Sequence, residues 1–150
     1  MADTRTQVEV EDWIRREWLP VQFSQQFFRE RMPLSSGGVF DYDAVSSDRK
    51  IIVSISTSGS MTSGGKQGVG KLQKIRADMF FMLLTPNVER KIIVFTEKDM
   101  FEKCKNETVA GRAPKEIEFL YVQIPDALQL KLIESRKKAA REVKPEQENP

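Results

Sequence analysis

Apolar residues in this chain recur at two periods, and the switches between them divide it into elements. Over residues 8–18, Val10, Trp13, Ile14 and Trp18 fall at helical spacing. Glu9, Glu11 and Asp12 occupy the first turn of that stretch, where the helix dipole favours negative charge, and Arg15 and Arg16 follow. Pro20 stops or bends this helix. The spacing of Phe23, Phe27 and Phe28 favours a short helix or an irregular segment over residues 21–32, with a strand as the alternative. Pro33, Ser35, Ser36, Gly37 and Gly38 mark a turn. Residues 37–57 then read as two strands joined by Ser46, Ser47, Asp48 and Arg49. Ile51, Ile52 and Val53 are consecutive apolar residues, as in a strand covered on both faces. The Gly/Ser-rich residues 58–70 predict a loop. Residues 69–84 carry the strongest helical pattern, with Leu72, Ile75, Met79, Phe80, Met82 and Leu83 on a wide apolar face, ended by Pro86 and Asn87. Further on come a buried strand at 91–96, a short helix at 98–107, a loop at 109–115 and a strand at 117–124. Pro125 suits the first turn of a helix over 126–143, and 144–150 form a polar, disordered tail.

A helix linking the strands at 50–57 and 91–96 implies a crossover and a parallel pair. The expected fold class is therefore α/β, a mixed central sheet with flanking helices, in a single domain over residues 1–150. The 39% hydrophobic content is enough for one core beside a solvated tail. Net charge is +2, too mild to imply a nucleic-acid partner by itself, since local clustering decides that. The chain has one cysteine, Cys104, and no histidine. That excludes an internal disulfide, a Cys/His zinc site and every imidazole-based mechanism. Any metal would need oxygen ligands, which favours magnesium, calcium or manganese. No signal peptide and no membrane-spanning run is present, so a cytoplasmic protein without a membrane partner is expected.

Candidate chemistry centres on the hairpin. Asp41 and Asp43 stand two apart on its first strand, so both side chains should leave one face. Two carboxylates so placed could hold Mg²⁺, with waters completing the octahedron. Ser54 and Ser56 stand two apart on the second strand and should share that face in the usual register. A serine nucleophile here would need Lys or a carboxylate as its base. Lys66 in the loop, with Lys71, Lys74 and Arg76 after it, precedes and follows a helix start, where N–H groups and cations together could bind phosphate. Taken alone, that region reads as a flexible loop and a solvated basic helix face; GGKQGVGK is not a P-loop. Lys131, Arg136, Lys137, Lys138 and Arg141 read as a solvated face balanced by Glu134 and Glu142.

The element order and the GGVFDYDAV segment resemble the restriction-endonuclease-like, or PD-(D/E)XK, superfamily of nucleases over roughly residues 8–124. That family places an Asp on one hairpin strand and (D/E)-x-K on the next. Asp43 matches the Asp, with Asp41 as a near alternative, and Glu11 or Glu17 suits the acid that the family sometimes carries on its first helix. The resemblance implies Asp43, Asp41 and Glu17 as metal ligands for Mg²⁺ or Mn²⁺. It departs from the pattern at Ser54-Ile55-Ser56, where Ser54 replaces the second carboxylate and Ser56 the lysine. Serine supplies neither charge, and losing such groups commonly costs orders of magnitude in rate. The implied catalytic positions are Asp43, Ser54 and Ser56, with Lys71 among the residues able to supply a relocated cation, beside Lys66, Gln73 and Arg76. The expectation is a nuclease-like, nucleic-acid-associated domain with a lapsed active site, binding DNA or RNA through Lys66, Lys71, Lys74 and Arg76. Two alternatives stand beside it: an active metal-dependent endonuclease with a relocated lysine, and an interaction domain, such as a homodimer, with no nucleic-acid role.

Overall fold

The computed structural model describes residues 4–60 and 69–148. Its centre is a five-stranded mixed sheet in the order β1-β2-β3-β4-β5, so the strands lie side by side in chain order. β1 (Phe27–Pro33), β2 (Val39–Ser46) and β3 (Ile51–Ser56) form an antiparallel meander. The β2–β3 turn closes with Arg49 in the left-handed region at φ 60°. The Ser46 hydroxyl donates to Asp48 at 2.7 Å and accepts from the Ile51 N–H at 2.9 Å. Helix α3 (Val69–Leu83) connects β3 to β4 (Arg90–Phe95), which lies parallel to it. Helix α4 (Lys98–Val109) similarly connects β4 to the parallel β5 (Ile117–Tyr121), and α5 (Asp126–Glu148) follows.

The unbroken apolar runs of β3 and β4 divide between two cores. Val53, Ile55, Ile92 and Val94 face Val10, Ile14 and Leu19 of the N-terminal helices and Leu132 of α5. Ile52, Ile93 and Phe95 face Ile75, Met79 and Met82 of α3 and Met100 and Cys104 of α4. Helices thus cover both faces, as a parallel β3–β4–β5 segment requires. No helix among the described residues is long and apolar enough to cross a membrane.

Three elements differ from the sequence expectation. Pro20 does not end the first helix. Helix α1 (Arg5–Trp13) widens into a π-helical segment (Ile14–Trp18) in which the Leu19 N–H reaches back to the Ile14 carbonyl, and α2 (Leu19–Phe23) continues with Pro20 in its first turn. A wider turn is a known way to accommodate a ring that lacks an N–H. Residues 27–33 form an edge strand rather than a helix: Phe27 and Met32 enter opposite cores, so the phenylalanine spacing spans a helix end and a strand start. Finally, α5 runs to Glu148, past the end expected at Val143 and into the segment expected as a disordered tail.

Candidate functional site

β2 contains an irregularity where the site forms. Phe28 of β1 pairs with Val45, whereas Glu30 pairs with Tyr42, so two steps on β1 face three on β2. This is a β-bulge, a device that re-aims side chains. Tyr42 and Val45 both enter the α3-side core, although an odd spacing should send them to opposite faces. Ala44 enters the core on the α1 side. Asp43, the other residue between them, lies between α1 and α3, near Glu11 on one side and Lys74 and Asp78 on the other.

The bulge also separates the strands. β2 and β3 pair at Ala44↔Val53 and Val45↔Ile52, and the ladder between them stops short of Asp43. Beyond these pairs, the Asp43 side chain replaces a backbone acceptor: its Oδ2 accepts the Ile55 N–H at 2.8 Å. Arg15 ties the helix to the same point, donating from Nε to the Asp43 carbonyl at 2.7 Å. Glu11 lies four residues before Arg15, which places it beside Asp43.

Both acids are unusual. Burial, and then the neighbouring Asp43, push the Glu11 carboxyl up to about 7. Burial also raises Asp43, against the opposing effect of the Ile55 N–H bond. The cations acting on both acids are Arg15, Arg29 and Lys74. Each is already ion-paired with a different acid: Arg15 with Asp12 at 2.6 Å, Arg29 with Asp41 at 3.2 Å, and Lys74 with Asp78 at 3.4 Å. Among the described residues, Glu11 and Asp43 therefore sit together without a dedicated counter-charge.

A cleft of about 230 Å³ opens beside them. Gln7 and Glu11 of α1 line one side, Ile55, Ser56, Thr57 and Ser58 the floor, and Lys71, Lys74 and Asp78 of α3 the other. Asp43 stands at its margin through the bond to Ile55. Asp78 is held above the usual carboxylate range, first by burial.

The expected site residues therefore separate. Asp43, Ser56, Lys71 and Lys74 lie in or beside the cleft. Asp41 keeps the strand's alternation but is exposed and bound to Arg29. Glu17 is exposed on the π-helical segment, and it is Glu11 that meets Asp43. Arg76 pairs with Glu107 of α4 at 2.9 Å and does not line the cleft; nor does Gln73. Lys66 lies outside the described residues. Val53 and Ile55 enter the α1-side core, so Ser54 and Ser56 alternate toward α3, whereas Phe40 and Tyr42 pack on the α3 side and leave Asp41 on the other face. Regular pairing would have put Asp43 opposite Ser54; instead its carboxylate accepts the Ile55 N–H, near Glu11 and Lys74. Ser54 is buried and lines no part of the cleft.

No protein-family model matches this chain. Searches of curated proteins and of solved structures likewise return no match.

Sequence reasoning missed Gln7 and Asp78. Both are recoverable from helical spacing, since Gln7 stands four before Glu11 and Asp78 four after Lys74. Cys104 is buried, and burial followed by Glu107 pushes its thiol up to about 11, so it is no nucleophile at neutral pH. Among the described residues no group of three acids, cysteines or histidines is arranged to hold a metal. Two carboxylates, however, meet the modest protein-ligand demand of Mg²⁺, which keeps waters and often shares substrate phosphates.

Proposed function

We propose that this chain is a restriction-endonuclease-like domain that acts on nucleic-acid phosphodiesters with a divalent ion, Mg²⁺ or Mn²⁺, held between Glu11 and Asp43. The observation that carries the reading is the pairing pattern around those acids: the three cations acting on both are each bound to another carboxylate. Two adjacent, partly buried carboxylates destabilise one another, and a divalent ion removes that penalty. Oxygen-only donors suit a hard cation.

The chain's own groups have definable parts in this reading. The Ile55 N–H fixes one Asp43 oxygen and leaves the other for ligation. Lys74 takes the cationic position vacated at Ser56, and Asp78 orients it from one turn later on α3. Lys71 lines the same wall and adds charge for a backbone phosphate. A bound divalent ion supplies Lewis-acid polarisation of a phosphoryl oxygen and lowers the pKa of a bound water.

A second reading, a nucleic-acid-associated module whose catalysis has lapsed, is favoured by Ser54, which brings no charge and lies buried away from the cleft. Incubation of labelled single- and double-stranded DNA and RNA with protein and Mn²⁺ separates the two. The first reading predicts cleavage that Lys74→Met lowers by about 100-fold or more. Salt-sensitive binding without cleavage supports the second. Neither cleavage nor binding at low salt overturns both.

A further inference from the structure

The end of β3 is held by a polar network that starts on α5, and this network has no part in the scheme above. Thr57 follows the last β3–β4 pair, Ser56↔Phe95, so its carbonyl has left the ladder. Arg136 of α5 donates from Nη2 to that carbonyl at 2.5 Å and from Nη1 to Glu97 at 3.1 Å. Glu97 stands between β4 and α4 and also accepts from the Thr96 hydroxyl at 2.8 Å and from Gln129 at 3.4 Å. Thr96 in turn donates its N–H to the Ser56 carbonyl at 3.1 Å. On the other side, Gln7 donates to the Thr57 hydroxyl at 3.3 Å.

These bonds converge on Ser56 and Thr57, which line the cleft. Ile55, whose N–H binds Asp43, stands two residues before Thr57. The position of the Ile55 amide therefore depends on where the end of β3 is held. A guanidinium suits this task because its fork bonds a carbonyl and a carboxylate at once, which an ammonium cannot do with the same geometry. The side chain is partly buried, at 31% exposed, and its partner Glu97 is 14% exposed.

We infer that Arg136 is a positioning residue for the Asp43 site, acting through the Thr57 carbonyl and the Ile55 amide. Its role as a metal-site support rests on the function proposed above; its hold on β3 does not. Helix α5 is thus more than a cover for the sheet. A second tie from the same helix, Lys131 to Glu9 at 3.1 Å, is exposed and reaches α1, so it provides a control for general loosening of α5.

The test compares Arg136→Met, Arg136→Lys and Lys131→Met with the unaltered full chain. Amide hydrogen exchange over residues 55–58 is measured together with Mn²⁺ affinity by electron paramagnetic resonance. Exchange in that segment is expected to speed roughly tenfold in Arg136→Met and to stay unchanged in Lys131→Met. Mn²⁺ affinity is expected to fall about tenfold in Arg136→Met, with partial recovery in Arg136→Lys. Unchanged exchange over residues 55–58 in Arg136→Met overturns the inference. So does equal acceleration in Lys131→Met, or Mn²⁺ affinity that stays unchanged in Arg136→Met. An unaltered protein that binds no Mn²⁺ overturns the metal site and, with it, the support assigned to that site; the exchange data then still decide whether Arg136 holds the end of β3.

Discussion

At Glu11 the fold keeps a carboxyl group in a place that opposes its charge. Its pKa rises from an ordinary 4.5 to about 7, with burial the larger cause and Asp43 the next. Between those values the folded chain holds a proton that the unfolded chain has released. Stability therefore falls as pH rises from about 4.5 to about 7, and the full penalty remains above that window. Glu11→Gln removes the penalty. Thermal melts should show the variant about 2–4 °C more stable than the unaltered chain near pH 8, and no more stable near pH 4, an effect of ~1 kcal/mol after solvent screening. A residue whose conservative replacement stabilises the protein is a candidate for function rather than structure. Tyr42 is the opposite case. It is fully buried and its hydroxyl meets Thr85 at 2.6 Å, while Thr85 also donates to the Phe81 carbonyl. Urea denaturation of Tyr42→Phe should show a loss of about 1–2 kcal/mol.

The elements that were legible in the sequence are those whose local pattern and tertiary role agree. β3 and β4 are short apolar runs bounded by polar turns, and they became the two-faced centre of the sheet. Helix α3 shows its apolar stripe because Ile75, Met79 and Met82 meet one surface, although Phe80 and Leu83, expected on the same face, are exposed. Their burial makes a sharp contrast: Ile92→Ala, at a fully buried β4 position, should cost about 2–5 kcal/mol in urea denaturation, while Val109→Ala, 87% exposed at the end of α4, should stay within about 0.5 kcal/mol. The less legible parts depend on long-range pairing. Phe27 and Phe28 fit a helix as well as a strand until β2 supplies a partner. The π-helical turn before Pro20 leaves no mark in residue type beyond the proline itself. The bulge at Asp43 mattered most. Sequence alternation placed Asp43 opposite Ser54, whereas beside the bulge its carboxylate takes the Ile55 N–H near Glu11 and Lys74. Half of the site was therefore visible as residue types, but its pairing was visible only in the register.

Over the whole molecule, the site lies where three pieces meet: the first helix, tied to β2 by Arg15 of its π-helical segment, the β2 bulge, tied to β3 by the Ile55 amide, and α3, whose Lys74 and Asp78 line the cleft. The mild net charge of +2 conceals this local arrangement, because most of the cations around the site are spent on neighbouring acids. If Lys71 and Lys74 contact a phosphate backbone, binding of a single-stranded oligonucleotide should weaken steeply with salt. Removing both lysines should flatten the slope of log K against log salt by about 1.4, near 0.7 for each contact; fluorescence anisotropy across a salt series reads that slope. The most direct test of the central claim is a Mn²⁺ titration of the unaltered chain beside Glu11→Gln/Asp43→Asn, followed by electron paramagnetic resonance at neutral pH. One saturable site is expected in the unaltered chain, and its loss in the double variant with the fold retained. Equal Mn²⁺ binding by both proteins, or none by either, contradicts that claim.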